Sequence, residues 1–255
     1  MDDSPMIEEI FGDSQKFFNW LRVAGHLKVF WLKPVEKIEI IESHRIFRVY
    51  WQSRRSKGGI FAFVFTKDFR INELFTSSSD DFDKILIIRE DLIDLLDFHL
   101  VDAEGILYIW DIGKIDLIEP NKNVDIEVLE SWNEDIVQCL ENVQKKSWGF
   151  FKPPSNHHVV FIAKINGEAI GSAYLNKLNF NIDYGIHVIK DFWRRRIGTR
   201  ILHEIVNYVK SARGKYLTVV RVFRKVKGTK QDKIATSFYR ANNPSHRFRT
   251  FRLKK

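Results

Sequence analysis

The stretch "DFWRRRIGTR", Asp191 to Arg200, sets three consecutive arginines against one glycine and one threonine. Two chemistries use such a stretch. A basic stripe neutralises a nucleic-acid backbone, whereas a tight basic turn opening a helix cradles the phosphates of a small ligand. The flanking residues separate them. Upstream, "FNIDYGIHVI" reads as a strand; downstream, Ile201, Leu202, Ile205, Val206 and Val209 recur at helical spacing. Strand, basic turn, helix is a phosphate-binding order, because the first helical turn has free N–H groups and the positive end of a dipole. Gly198 lets the backbone approach a ligand, and Thr199 adds a hydroxyl donor. A helix that reads a nucleic-acid groove needs basic and amide side chains along its exposed face. "ILHEIVNYV" is instead mostly core-facing.

Working outward, the second half of the chain is an ordered series. "VDIEVLE" is a predicted strand and Glu130 to Trp148 an amphipathic helix. "HVVFIAKI" and "EAIGSAYL" are strands joined by Asn166-Gly167, a strong short hairpin signal. Gly214 is expected as the left-handed residue past the helix that starts at Thr199. "YLTVVRVF" is a strand, "QDKIATSFYRANN" a last helix stopped before Pro244, and "HRFRTFRL" a terminal strand.

The first half reads as a separate α+β unit with antiparallel hairpins. A helix is expected over residues 5–25, then strands in "EKIEIIES", "RIFRVYWQ", "GIFAFVFT", "KILIIR" and "GILYIWDIGKIDLI". "DFRINELF" and "EDLIDLLDF" look like short helices, and "QSRRSKGG" like a solvated hairpin connection. Pro120, Asn121 and Asn123 interrupt the pattern, so the expected domains are 1–120 and 121–255. Charge divides at the same place. Residues 1–120 carry 15 Lys and Arg against 22 Asp and Glu, whereas the remainder carries 26 against 11. That basic second half permits a polyanionic partner such as nucleic acid.

The acidic start, "MDDSPMIEEI", lacks the order of a secretion signal, and no apolar run reaches the roughly 18 residues of a membrane span. The lone Cys139 fits a reducing compartment, so a cytoplasmic protein without membrane association is expected. His157-His158 has no further ligands at metal spacing, and no metal site is expected.

Residues 121–255 resemble the GCN5-related N-acetyltransferase superfamily. "INGEAIGSAYL" is similar to its central hairpin, and "VIKDFWRRRIGTRIL" to its pyrophosphate segment, with Val188, Ile197, Gly198, Thr199 and Leu202 at matching places. "DKIATSFYRANN" resembles its late helix through Ala235, Phe238 and Tyr239. The resemblance implies a mixed sheet flanked by helices, with acetyl-CoA held between two splayed strands and attacked directly by an acceptor amine. It implies cofactor contacts from His187, Val188, Trp193, Arg194, Arg195, Arg196, Ile197, Gly198 and Thr199. It makes Tyr239 the proton donor to the departing sulfur, a task suited to a phenol of pKa ~10. Asp183 is the nominee to deprotonate the amine, ahead of Tyr184 and His187 on the same strand.

Four positions depart from the family pattern. Trp193 stands where Gln or Arg is usual, Arg196 where the first Gly is, Asp232 where Asn is frequent, and Asn243 where the late helix ends in Gly. Arg196 either clamps the pyrophosphate or blocks the turn. The alternative to an acetyltransferase is a non-catalytic module of the same fold that binds nucleic acid. The first half is open to a further reading, as a decayed copy of that fold; its hairpins allow this and its missing phosphate loop opposes it.

Overall fold

The computed structural model describes residues 35–41, 46–53, 56–64, 83–90, 93, 98–177 and 180–254. The expected helices over 5–25 and 68–75 lie outside these residues. So does most of 90–98, where a 3-10 turn over Phe98–Leu100 is described. The chain forms two compact units that are discontinuous in sequence. One comprises Met1–Tyr108, Arg221–Ala235 and His246–Lys255; the other comprises Ile109–Val220 and Thr236–Ser245.

In the first unit, β1 (Val35–Ile41), β2 (Ile46–Ser53) and β3 (Ser56–Val64) pair antiparallel in succession. The β2–β3 connection falls within "QSRRSKGG", as expected. β3 then pairs parallel with β4 (Asp83–Arg89), in addition to the expected antiparallel hairpins. β5 (Val101–Asp111) follows and passes into the second unit after Tyr108.

The second unit carries β6 (Asp125–Leu129), α1 (Glu134–Trp148), β7 (His158–Ile165), β8 (Glu168–Asn176), β9 (Asn181–Val188), α2 (Ile197–Ser211) and β10 (Tyr216–Val222). α3 (Lys230–Ala241) and β11 (His246–Leu253) complete the chain. β6 through β9 pair antiparallel, and β9 meets β10 in parallel. The first unit thus repeats the same succession, antiparallel pairs and then a parallel one. β11 closes it by pairing antiparallel with β4. That recurrence is what a second copy of one fold would give.

Local chemistry explains the boundaries. Asn166 and Gly167 both have positive φ, 50° and 81°, the geometry of the tight β7–β8 turn. α1 starts at Glu134 rather than Glu130, because the Asn133 side chain caps it by accepting from the Ile136 N–H. α2 ends differently from expectation. Its left-handed residue is Arg213 (φ 56°), while Gly214 is required by space: a Cβ there would lie 2.5 Å from Val209 and 2.7 Å from the Phe180 ring. β7 is buried on both faces, hence its continuous apolar run. Leu140 of α1 covers Val160, Ile162 and Tyr174, and α2 packs on the sheet through Ile201, Leu202, Ile205 and Val209.

α3 begins with a reciprocal cap. Asp232 accepts from the Thr229 N–H (2.8 Å) and hydroxyl (2.7 Å), and the Asp232 N–H reaches back to Thr229. Arg221 donates to the other carboxylate oxygen at 2.6 Å. Burial by itself would push the Asp232 carboxyl up. The Thr229 donors, Arg221 and the Arg224 N–H outweigh it and hold the group below the usual carboxylate range. A depressed carboxyl contributes stability above its unfolded pKa and loses it as pH falls through the folded one. We expect Asp232→Asn to lower stability at neutral pH by about 3 kcal/mol, since it removes the buried carboxylate to which Arg221 and Thr229 donate. The deficit should shrink as pH drops below the ordinary carboxylate range, as read by urea unfolding at pH 7 and pH 3.

Candidate active site

The site is built where β9 and β10 part. Their ladder has one register position, Thr218 beside Asn181, at the start of both strands. A buried side-chain chain pins that point. Thr218 Oγ1 donates to Asn181 Oδ1 (3.0 Å), and Asn181 Nδ2 donates to Asp183 Oδ1 (2.6 Å). Asp183 Oδ2 accepts from His158 Nε2 (2.9 Å) and Asn176 Nδ2 (3.2 Å). The Ser155 N–H donates to His158 Nδ1 at 2.9 Å, which assigns the imidazole proton to Nε2. Four strands are tied together at the base of the opening.

Beyond Asp183, β9 bulges. Tyr174 opposes Asp183 and Ala173 opposes Ile186, so Tyr184 and Gly185 are extra residues. Both have positive φ, 63° and 84°. Two extra residues leave Asp183 and His187 on one face of the sheet, as simple alternation predicts, and put Ile186 on the other. The bulge also admits a side chain from α3. A Cβ on Gly185 would lie 3.1 Å from the Tyr239 hydroxyl oxygen. With no side chain in the way, the buried Tyr239 accepts from the Ile186 N–H at 3.2 Å. Tyr239 is held from behind by Phe238 and Trp110 (ring centroids 5.0 and 6.3 Å), and Trp110 Nε1 donates to the Asn242 carbonyl.

The backbone of β9 offers further groups along the opening. The Ile189 N–H donates to Ile170 of β8, so by alternation Ile186 and Val188 turn theirs the other way. The Val188 carbonyl accepts from Trp193 Nε1 at 2.8 Å. This is the use the chain makes of the tryptophan that stands where the family has Gln or Arg.

The basic turn is as tight as its sequence suggests. Arg194 (φ 63°) and Arg196 (φ 54°) are left-handed, and each costs about 1–2 kcal/mol relative to glycine. The Arg196 guanidinium turns back to the Glu119 carbonyl (3.3 Å), Arg195 lies over the Phe192 ring, and the Asn121 amide holds the Arg195 carbonyl (2.9 Å). α2 then starts with no side-chain cap and no acidic residue in its first turn, which leaves the amides of Ile197, Gly198 and Thr199 without a side-chain acceptor. Gly198 packs closely: a Cβ there would sit 3.0 Å from the Phe238 ring. Asn243 is left-handed (φ 46°), as expected of an Asn in the glycine place.

The structure therefore assembles Tyr239, Ile186 and Val188 at the opening, with Trp193 to Arg196 in the turn that follows β9 and Ile197 to Thr199 in the first turn of α2. His187 is buried on the α1 face, its ring 4.9 Å from Trp148. Asp183, 8% exposed, has both carboxylate oxygens engaged by neighbouring side chains. Sequence reasoning missed Ile186, His158 and Asn181. The Tyr-Gly pair at 184–185 was the available signal of the bulge. Among the described residues there is no cluster of metal-ligating side chains, and no helix is long and apolar enough to cross a membrane.

Comparison with known proteins bears on the family and the fold. Residues 125–241 match the model of the Acetyltransferase (GNAT) family. A GCN5-related N-acetyltransferase from Kribbella flavida superposes with a TM-score of 0.50 at 10% identity, covering 92% of this chain and 95% of that one. A GCN5-related N-acetyltransferase-like protein from Streptococcus suis gives 0.43 at 9% identity, covering 97% of each chain. The C-terminal domain of a putative lysylphosphatidylglycerol synthetase from Agrobacterium fabrum gives 0.44 at 14%, covering 86% and 84%. The first of these shows the fold. No curated protein matches the chain.

Gly185→Ala tests the bulge. The left-handed φ and the 3.1 Å approach should together cost about 1–3 kcal/mol and break the Tyr239–Ile186 contact. Hydrogen exchange should show the Ile186 amide losing protection while the β7–β8 amides keep theirs.

Proposed function

We propose, from the match of residues 125–241 to the acetyltransferase (GNAT) family model, that the protein transfers an acetyl group from acetyl-CoA to an acceptor amine. The observation that carries this reading is the Tyr239 hydroxyl seated against the Ile186 N–H where β9 and β10 diverge. The residues present fit the cofactor. An uncapped helix start without acidic residues follows a turn of three arginines, and both features favour a diphosphate. Acetyl-CoA, when bound, supplies the acyl group and a thiolate leaving group.

The chain's own groups divide the remaining work. The N–H groups of Ile197, Gly198 and Thr199 would bind phosphate, with Arg194, Arg195 and Arg196 adding charge. The backbone beside His187 and Val188 would bind the acyl carbonyl, and a donor aimed there stabilises the developing oxyanion. Tyr239 would hold the proton that goes to sulfur as the C–S bond breaks and the C–N bond forms. The acceptor must lose a proton in the same reaction. With its carboxylate engaged by His158, Asn176 and Asn181, Asp183 is better suited to fixing the β9–β10 opening than to taking that proton, so we assign it a positioning role.

Two substitutions test this. Tyr239→Phe should leave the Kd for acetyl-CoA within a few-fold and lower kcat by about 10²–10⁴, the usual contribution of a general acid. An unchanged kcat in a chemistry-limited assay would make Tyr239 a packing residue. Arg196→Gly should move two quantities in opposite directions. It relieves a left-handed arginine, raising stability by about 1 kcal/mol. It also removes a charge-assisted contact, weakening CoA binding by about 1.5–3 kcal/mol. Calorimetry showing tighter CoA binding by the glycine variant would mean that Arg196 obstructs the turn.

A further inference from the structure

Tyr239 sits in the last turn of α3, two residues before the helix ends at Ala241. The carbonyls of a final helical turn have no intrahelical partner, so such a turn frays unless other groups meet them. A proton donor carried there would share that looseness, and a misplacement of about 1 Å can cost about 10²-fold in rate. In this chain the turn is closed. The buried Asn242 donates its side-chain amide to the Phe238 carbonyl (2.8 Å) and its backbone N–H to the Tyr239 carbonyl (3.2 Å). The Asn243 N–H reaches the Arg240 carbonyl at 3.2 Å.

The residues just past the helix are tied to one stretch of chain, the end of β5 and the segment after it. Trp110 Nε1 donates to the Asn242 carbonyl at 2.6 Å. Ser245 Oγ accepts from the Asp111 N–H at 3.0 Å, and Asn243 Nδ2 donates to the Asp116 carbonyl at 3.0 Å. All of these residues belong to the second unit. Trp110 is fully buried, and its ring centroid lies 6.3 Å from that of Tyr239. The indole therefore bears on Tyr239 in two ways, through its ring and through the carbonyl three residues on. A phenylalanine or leucine would fill a core as well. Tryptophan adds an N–H that needs an acceptor when buried, and here that acceptor is the backbone that ends the Tyr239 turn.

We propose that Trp110 is the positioning residue for Tyr239. With the Asn243 and Ser245 ties, its indole fixes the last turn of α3 so that the phenol passes over Gly185 and meets the Ile186 N–H. Trp110 transfers no proton; it acts through the place it gives the phenol. Loss of the indole N–H leaves the Asn242 carbonyl buried without that donor, which favours movement of the turn. This inference rests on the acetyl-transfer reading, in which the same phenol delivers the proton to sulfur.

Residue-resolved hydrogen exchange on the full-length protein, without ligand, reads the placement directly. Trp110→Phe keeps a ring and removes the N–H. It should speed exchange of the Ile186 amide about tenfold while the β7–β8 amides keep their protection. In Tyr239→Phe that amide has already lost its phenol acceptor, so adding Trp110→Phe should change its exchange less than about twofold. A residue that merely filled the core would have the same effect in both backgrounds. In the chemistry-limited assay, Trp110→Phe should lower kcat about tenfold, keep KM for acetyl-CoA within about threefold, and add little to Tyr239→Phe. Unchanged Ile186 exchange in Trp110→Phe, or equal effects with and without the Tyr239 hydroxyl, would overturn the proposal. If circular dichroism shows Trp110→Phe unfolded, Asn243→Gly combined with Ser245→Ala carries the same comparison. That pair suits the left-handed backbone at 243 and removes two exposed side-chain ties; it should speed Ile186 exchange about threefold, and no change would overturn the proposal. The two readings fail separately. An unchanged kcat in Tyr239→Phe removes the acid role whatever exchange shows. A lowered kcat there, with kcat and Ile186 exchange both unaltered in Trp110→Phe, removes the positioning role alone.

Discussion

β9 and β10 touch at a single register position, Thr218 beside Asn181, and the site exists because they part after it. Two parallel neighbours in a sheet normally satisfy each other's backbone groups along their length. Here the N–H of Ile186 and the backbone of Val188 are left to other partners: a phenol from α3, an indole from the following turn, and in the proposed reaction a ligand. An opening of this kind tends to close unless its base is fixed. The Thr218–Asn181–Asp183–His158 chain fixes it with hydrogen bonds buried in a low-dielectric setting, where each bond is strong and each broken one costly. The one carboxylate on β9, Asp183, is part of that chain.

Charge and strain converge on the turn after the opening. Two of its three arginines hold left-handed backbone, a combination that stability alone disfavours. The Arg196 guanidinium reaches the Glu119 carbonyl and that of Arg195 lies over Phe192, local contacts that a diphosphate would have to better. Trp193 presents the same competition at Val188. The turn is held by neutral and weak contacts that a doubly charged ligand can outbid.

The first unit shows the same succession of strand pairings, and it is completed by β11 from the far end of the chain. An absent glycine loop could not reveal this, because pairing depends on strand direction and register rather than on any ligand-binding motif. The missing loop bears on what the first unit can bind. It does not bear on how it is built.

Much was legible in the linear order. The Asn166-Gly167 turn, the amphipathic faces of α1 and α2, and the strand–turn–helix around Gly198 follow from rules that act within a few residues, and such rules are written in adjacent letters. Left-handed Asn243 belongs with them. Tertiary structure decided the rest. Gly214 looked like a helix cap and proved to be a matter of space against Phe180, a residue 34 positions away. That His158, Asn176 and Asn181 all reach the oxygens of Asp183 depends on three strands meeting, which the sequence of β9 does not contain. The bulge that brings Tyr239 to Ile186 depends on how β8 and β9 register, and no single strand contains that information. Residue type and spacing determined which groups this chain has available; long-range packing determined which of them remain free to act.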